Sequence, residues 1–144
     1  MSQDHRSIGI RWFEEVWNKG RRDAVPEFLS PDGVLYEAGN ISRGPEGFYP
    51  FFDRMRASFS DIRVTVDDTF GENDKFCYRW TCSMRHTGDF MGIPATGKTL
   101  KVTGMCIVRA ENGKMVEAWQ NWDMLGLVEQ IHSKPQSQVY VAAM

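Results

Sequence analysis

The segment HTGDFMGIPATGKTLKVTGMCIVRAENGKMVEAWQNWD, residues 86–123, carries most of the information about the fold of this chain. A glycine-rich loop precedes an alternating run over residues 100–109. Asn112-Gly113 then favours a tight hairpin turn, because both residues tolerate a positive φ. The second strand is predicted over residues 115–124. Alternate side chains of a strand lie on one face, and one face of this strand carries Glu117, Trp119, Asn121 and Asp123. We interpret that polar and aromatic face as the floor of a binding site.

The regions before this hairpin predict a layered α+β fold. Alternation with a period of two also runs through residues 62–67 and 76–86, which predicts two more strands. Apolar residues recur at helical spacing over residues 7–19, and further helices are predicted over residues 24–29 and 46–57. Helices segregated to one side of an antiparallel sheet define an α+β fold. Because long strands twist, we expect a cone-shaped, curved antiparallel sheet wrapped around the N-terminal helices, with a pocket between them.

Length and composition restrict the classes of function. The 144 residues, 42% of them hydrophobic, predict a single domain over 1–132 and a C-terminal tail over 133–144. A net charge of −2 provides no attractive field for nucleic acid or an anionic membrane. No apolar run approaches the roughly 20 residues of a membrane span. The N-terminus lacks the apolar core of a signal peptide, so we expect a cytoplasmic protein.

The distribution of aromatic residues, cysteines and histidines favours a small organic ligand over a metal. Five Trp and nine Phe are many for a chain of this size, and large aromatic side chains line pockets for flat organic molecules. The three cysteines fall within predicted strands, which favours reduced, buried thiols. The three histidines are scattered without the spacing of metal ligands, so no metal site is expected.

The chain resembles the SnoaL-like polyketide cyclase (ester cyclase) family, within the nuclear transport factor 2-like (cystatin-like) superfamily of α+β barrels. The matching residues are His86-Thr87-Gly88, Phe90-Met91-Gly92-Ile93-Pro94, Thr96-Gly97-Lys98, Asn112-Gly113-Lys114, Glu117, Trp119 and Asp123. The resemblance spans most of the chain and is strongest over residues 76–131. It implies an enzyme without a cofactor that closes rings by intramolecular aldol chemistry. Relatives on the same fold include isomerases, dehydratases and epoxide hydrolases, so the fold alone does not define the reaction.

The resemblance places Asp123 at the acid/base carboxylate of the family's cyclases. Aldol closure takes a proton from a carbon next to a carbonyl and returns a proton to an oxygen. One carboxylate performs both steps if an apolar wall raises its pKa, and Trp119 and Met84 are the expected wall. The alternative is that Asp123 caps the helix predicted to begin near Leu125, because Asp is a favoured N-cap residue.

Two further side chains are predicted to be catalytic. His86 is expected to polarise or protonate a substrate oxygen, since its ordinary pKa of about 6.5 lets it act near neutrality; the alternative is a bond to the backbone of the His-Thr-Gly turn. Arg109 is expected to orient the carboxylate or a substrate carbonyl, and its alternative is a solvated charge at a strand end. The predicted substrate-binding residues are Trp12, Tyr36, Phe52, Trp80, Met91, Trp119 and Asn121.

Other functions remain open at this point. The same cone would serve a non-catalytic small-molecule binding protein, and a protein-interaction module would use the outer face of the sheet. Epoxide hydrolysis needs an Asp-Arg-Asp relay that holds a water; Arg109 and Asp123 fill two of its places, and no second Asp lies at an obvious partner position. By analogy with the fold, we expect a homodimer through the outer sheet face.

Overall fold

A computed structural model describes residues 6–37 and 39–133 of the chain. The described residues form four α-helices and six strands, with a π-helical segment directly after the first helix and a 3-10 turn at Arg22–Ala24. In chain order the elements are α1 (Arg6–Trp12), the π-helix (Phe13–Asn18), α2 (Val25–Phe28), β1 (Leu29–Glu37), β2 (Asn40–Arg43), α3 (Gly44–Ser58), β3 (Phe59–Glu72), β4 (Lys75–His86), β5 (Thr99–Glu111), β6 (Lys114–Trp122) and α4 (Met124–His132).

The strands form one curved, unclosed sheet in the order β2-β1-β6-β5-β4-β3. Strands β3 to β6 make the predicted antiparallel meander, so the α+β class and the curved sheet are confirmed. The sheet is not antiparallel throughout, however, because β1 pairs with β6 in parallel. The β1–β2 hairpin thereby adds to the free edge of β6, and the last strand of the meander lies in the interior of the sheet.

The helices cover the concave face of the sheet. In the helical layer, the ring of Trp12 lies 5.0 Å from that of Phe48 of α3. Phe13 reaches the sheet, with its ring 6.0 Å from that of Trp80. The predicted helix over residues 7–19 is thus confirmed, although its second half is π-helical. The face that carries Trp12 and Phe13 packs inward because bulky aromatic side chains bury large apolar areas.

The inward face of β6 is the opposite of the predicted one. Strand β5 buries the face that carries Val102, Cys106 and Val108. Cys106 pairs with Gln120 of β6, and Val108 pairs with Ala118. Directly opposed residues of paired strands share a face, so Ala118, Gln120 and Trp122 point inward. Glu117, Trp119 and Asn121 point outward, and the prediction that they form the floor of the pocket is wrong.

Within the described residues, no helix is both long enough and apolar enough to cross a membrane. The final helix, α4, ends at His132, close to the predicted end of the domain. Apart from Ser133, the predicted C-terminal tail lies outside the described residues.

The three cysteines are free thiols: Cys82 and Cys106 are buried, and Cys77 is partly buried.

Candidate functional site

A cavity of about 110 Å³ lies between the concave face of the sheet and the helices. The helical side contributes Trp12, Phe13 and Trp17, and the sheet contributes Trp80 and Trp122. Most of the remaining lining is aliphatic or aromatic, and the few polar side chains that line the cavity include Glu37, Gln120, Cys82 and Cys106. An apolar pocket with a few convergent polar groups is the usual form of a small-molecule site.

Glu37 is the carboxyl group of the cavity. It ends β1, which carries it to the rim of the sheet, and its main chain pairs with Gln120. Its carboxylate accepts a 2.9 Å hydrogen bond from Nε1 of Trp122. Burial raises the pKa of Glu37 to about 7, while the Trp122 hydrogen bond acts in the opposite direction. Burial therefore outweighs the hydrogen bond, and both forms of the carboxyl group are populated near neutral pH.

Gln120 is the amide of the cavity and lies on the strand next to Glu37. Its Oε1 accepts a 3.1 Å hydrogen bond from Nε1 of Trp80. The indole of Trp80 lies directly over Gly104 of β5, where an added Cβ would stand 2.3 Å from Cζ2 of the indole. Glycine at position 104 therefore leaves room for the flat indole against the sheet, and this position lets Trp80 reach Gln120.

The two thiols of the cavity are protonated near neutral pH. Burial raises the pKa of Cys82 to about 11 and that of Cys106 to about 12. Smaller contributions to the Cys106 pKa come from Cys77 and from Glu37. Because the thiolate is the nucleophilic form, these cysteines are poor nucleophiles. The described residues contain no group of three or more His, Cys, Asp or Glu side chains placed to hold a metal ion.

The family model for SnoaL-like polyketide cyclases matches residues 8–131. The chain belongs to the SnoaL-like polyketide cyclase family. Its matched region contains the whole sheet, the helices that close the cavity, and both Glu37 and Gln120. The family resemblance stated from the glycine-rich loop and the hairpin is thus confirmed, together with the nuclear transport factor 2-like fold.

Two curated relatives are cyclases. The chain is 27% identical over 128 residues to aklanonic acid methyl ester cyclase DnrD of Streptomyces peucetius, a match that covers 85% of this chain and 87% of that protein. It is also 27% identical to aklanonic acid methyl ester cyclase DauD of Streptomyces sp. (strain C5), with 85% and 78% coverage. Among solved structures, TsrD from Streptomyces laurentii superposes with a TM-score of 0.81 at 28% identity, covering 93% of this chain and 99% of that one. The two curated matches support a cyclase-like role for this SnoaL-like chain.

Asp123 lies outside the cavity of this SnoaL-like fold. It is the N-cap of α4, where its Oδ1 accepts a 2.8 Å hydrogen bond from the backbone N–H of Gly126. The residue is exposed, so the predicted apolar wall around its carboxylate is absent among the described residues. The capping alternative is the one that these contacts show. A catalytic role for Asp123 stays a prediction that its position does not favour.

His86 is buried but does not line the cavity. Its Nδ1 lies 2.9 Å from Oγ1 of Thr96 and accepts a 3.3 Å hydrogen bond from the backbone N–H of Thr96. Its main chain bonds Lys98 and Gly97, and its ring lies 5.6 Å from that of Phe59. The side chain thus anchors the glycine-rich loop at the end of β4. The backbone partner of the side chain is thus Thr96 rather than the predicted His-Thr-Gly turn. A catalytic role for His86 stays a prediction, and its place outside the cavity lining does not favour that role.

Arg109 lies on the outer face of the sheet. Its guanidinium bonds Glu117 at 3.0 Å and Glu111 at 2.5 Å, with Asp74 at 4.0 Å. The hydrogen bond to Glu117, the largest cause, raises the pKa of Arg109. The predicted contact with Asp123 or with a substrate in the cavity is therefore wrong, since the sheet separates Arg109 from the cavity.

The predicted substrate-binding residues divide between the two sides of the sheet. Trp12 and Trp80 line the cavity, as predicted. Tyr36 is also part of the lining, but its ring stacks on Trp119 at 5.6 Å and its hydroxyl donates to Glu117 at 3.4 Å, both outward residues. The predicted residues that do not line the cavity are Phe52, Met91, Trp119 and Asn121.

Phe52 and Met91 miss the cavity for different reasons. Phe52 is buried behind the lining, with its ring 5.2 Å from that of Trp17. Met91 is 69% exposed at the tip of the glycine-rich loop.

Sequence reasoning missed Glu37 and Gln120. The available signals were a carboxyl group at the end of the apolar run Val34-Leu35-Tyr36, and the second face of the β6 strand.

Proposed function

We propose that this chain is an acid/base enzyme that closes a ring in an apolar, oxygenated small molecule without a cofactor, and that Glu37 is its acid/base group. The observation that carries the proposal is the Glu37 carboxyl group in the apolar cavity, with a pKa raised to about 7. Catalysis by proton transfer is most efficient when the pKa of the group lies near the working pH. The neutral thiols of the cavity do not compete for this role.

The proposed reaction is an intramolecular aldol closure. The Glu37 carboxylate removes a proton from a carbon next to a carbonyl group, and the electron pair delocalises onto the carbonyl oxygen as an enolate. The enolate carbon then attacks a second carbonyl of the same molecule, which forms the new carbon–carbon bond and an alkoxide. The carboxylic acid of Glu37 returns its proton to that alkoxide, so the enzyme ends in its starting state. Both curated relatives are aklanonic acid methyl ester cyclases, and ring closure in a methyl ester supports this class of reaction.

The size of the cavity requires movement at its mouth. An engineered cavity of about 150 Å³ binds benzene, whereas this cavity measures about 110 Å³. A substrate of two or more rings therefore needs some of the lining side chains to move. Trp17, Phe51 and Met55 line the cavity, are only partly buried, and belong to the helical layer rather than to the sheet. We propose that these three side chains form the entrance and swing outward when the substrate binds.

The test is turnover of a panel of methyl esters of aromatic polyketones by the wild-type protein and by two carboxylate variants. Glu37→Gln is expected to lower kcat by at least about 100-fold, the usual contribution of a general acid/base, while Asp123→Asn keeps kcat within a few-fold of wild type. Full activity in Glu37→Gln excludes Glu37 as the base. If Asp123→Asn is the inactive variant, the carboxylate predicted from the family resemblance is the catalytic one.

Binding without turnover is the second candidate, and the predominantly apolar lining favours it. In that case the same panel would bind to the wild-type protein with saturation, and no product would form with any of its members. A binding protein would also tolerate Glu37→Gln with little change in affinity for neutral esters, because the substituted amide conserves the shape of the carboxyl group.

We also propose a homodimer through the outer face of the sheet. One register row crosses all six strands and consists of Ile41, Tyr36, Trp119, Ile107, Cys77 and Phe70. Ile41 is 68% exposed, Phe70 65% and Ile107 44%. A continuous apolar row of this kind on a surface marks an interaction site. A second copy of the chain fits it through a two-fold axis, since an isologous interface uses the same surface patch on both subunits.

A further inference from the structure

Gln120 occupies a position from which it can act together with Glu37. The two residues are direct partners in the parallel β1–β6 pair, and both line the cavity. Neighbouring strands lie about 4.8 Å apart, so the carboxyl and amide groups start from adjacent points of one sheet face. Trp12 and Trp17 line the cavity from the helical side. Among the described side chains that line the cavity, Gln120 carries the amide, and it lies beside the proposed base.

The orientation of the Gln120 amide follows from its partner. The indole Nε1–H of Trp80 is only a donor, and its 3.1 Å hydrogen bond therefore requires Oε1 of Gln120 on that side. The amide nitrogen then points away from Trp80. This nitrogen donates no hydrogen bond to any described residue. In the described chain, the fully buried side-chain atoms that lack a hydrogen-bond partner are Thr69 Oγ1 and His86 Nε2, so the unbonded Gln120 nitrogen is not fully buried. Its N–H groups are thus accessible.

The protein builds this orientation from the sheet upward. Trp80, Gly104 and Trp122 form one register row. Because position 104 has no side chain, the indole of Trp80 lies flat above it, with an added Cβ standing only 2.3 Å from Cζ2. On the same face, Trp122 donates to Glu37. Two indoles therefore orient the two polar groups: Trp80 aims the amide of Gln120, and Trp122 positions the carboxyl group of Glu37.

We propose that Nε2 of Gln120 binds the substrate oxygen on which negative charge develops when Glu37 removes the proton. The N–H group donates a hydrogen bond and transfers no proton, while the electron pair of the broken C–H bond moves onto that oxygen. Trp80 is the positioning residue that presents this donor. Donors placed in advance at a developing oxyanion stabilise the transition state strongly. This assignment rests on the proposed acid/base function of Glu37.

The assignment also defines the substrate near this oxygen. Neither Lys, Arg nor His is present among the described residues that line the cavity. A free carboxylate on the substrate would have no cationic partner there and would meet the partly ionised Glu37. The site therefore takes a neutral carbonyl compound, such as an ester or a ketone, and the upstream reaction that supplies it must mask any carboxyl group.

The test measures binding of 4-nitrophenolate, a stable mimic of an enolate that is followed by its visible absorption band, and of nitrobenzene as its uncharged counterpart. Both are measured in the Glu37→Gln protein, where no carboxylate opposes the anion. Adding Gln120→Met, which keeps the length of the side chain, is expected to weaken phenolate binding roughly 10- to 100-fold, the range for a hydrogen bond to a charged group. Nitrobenzene binding should change less than about three-fold, since it depends on the apolar walls.

Trp80→Phe provides the second comparison. It keeps an aromatic side chain at this position and removes the indole N–H that orients the amide, together with part of the ring area. It should therefore reduce the preference for phenolate over nitrobenzene, whereas a change in cavity shape alone would affect both ligands alike. Equal weakening of both ligands in Gln120→Met would mean that Gln120 only shapes the cavity. Failure of the Glu37→Gln protein to bind phenolate, or unchanged binding in Gln120→Met, would likewise overturn the assignment. These readouts involve no turnover, so failure of Glu37 as the catalytic base is recognised separately, by full turnover in Glu37→Gln.

Discussion

Replacing Glu37 by Gln should remove a pH-dependent loss of stability between about pH 4.5 and pH 7. In the unfolded chain the carboxyl group has its ordinary pKa of 4.5, and in the folded protein burial raises the pKa to about 7. Between these values the folded state binds more protons than the unfolded state. The free energy of unfolding contributed by Glu37 is therefore fully present below pH 4.5 and falls as the pH rises through about 7.

The magnitude follows from the two pKa values. A factor of ten in an equilibrium constant is about 1.4 kcal/mol, so moving the pKa from 4.5 to about 7 corresponds to about 3 kcal/mol of stability lost across this window. Gln has no proton to release, and its Oε1 can still accept the hydrogen bond that Trp122 donates to Glu37. The variant should therefore approximately match wild type near pH 4.5 and exceed its stability by up to about 3 kcal/mol above pH 7.

The assay is urea unfolding of both proteins at half-unit steps from pH 4 to pH 8. The quantity to plot is the difference between their free energies of unfolding, because contributions from other titrating groups cancel in it. That difference should grow with pH at a slope approaching about 1.4 kcal/mol per unit in the middle of the window. Parallel pH profiles for the two proteins would show that the Glu37 carboxyl group has an ordinary pKa, and the case for Glu37 as an acid/base group near neutrality would lose its basis.

Two further predictions concern residues outside the cavity. Asp123→Ala removes the N-cap of α4 and should lower the free energy of unfolding by about 1 kcal/mol in the same urea assay; no loss would mean that the cap is energetically silent. Ile107→Lys puts a charge into the exposed apolar row and should convert a dimer to a monomer in analytical ultracentrifugation. The control is Leu125→Lys on α4, which adds the same single charge at an exposed residue outside the row; a wild-type monomer would rule out the dimer.

Local patterns in the sequence are sufficient for the class of fold. The strict alternation of β5 and the Asn112-Gly113 turn predict an antiparallel hairpin, and both are present. Helical spacing predicts the helix that became Gly44–Ser58. These features depend on residues a few positions apart along the chain, whose periodicity is a property of the strand or helix itself.

The inner face of β6 could not be settled in the same way. Alternation divides β6 into two sets of side chains, and both sets contain polar and aromatic groups, Glu117 with Trp119 and Gln120 with Trp122. The β5–β6 pair has a register shift between Arg109 and Ala110. Beyond this shift, the residues of β6 that share a face with a given residue of β5 differ by one position from those expected from the turn. Since a slip of one residue turns every side chain to the other face, the hairpin sequence alone does not tell which set meets the cavity.

By itself, the sequence determined the elements, their order and the family, because these are encoded in short-range periodicity and in the matched loop and hairpin. Only the tertiary structure decided which carboxyl group is withdrawn from water. Glu37 accepts a hydrogen bond from Trp122, which lies 85 positions away in the sequence. The two residues come together through the parallel β1–β6 pairing, which no local sequence pattern predicts. Asp123 instead caps the first turn of α4. The physical reason is that a raised pKa comes from burial, and burial is a property of the assembled layers rather than of any one segment.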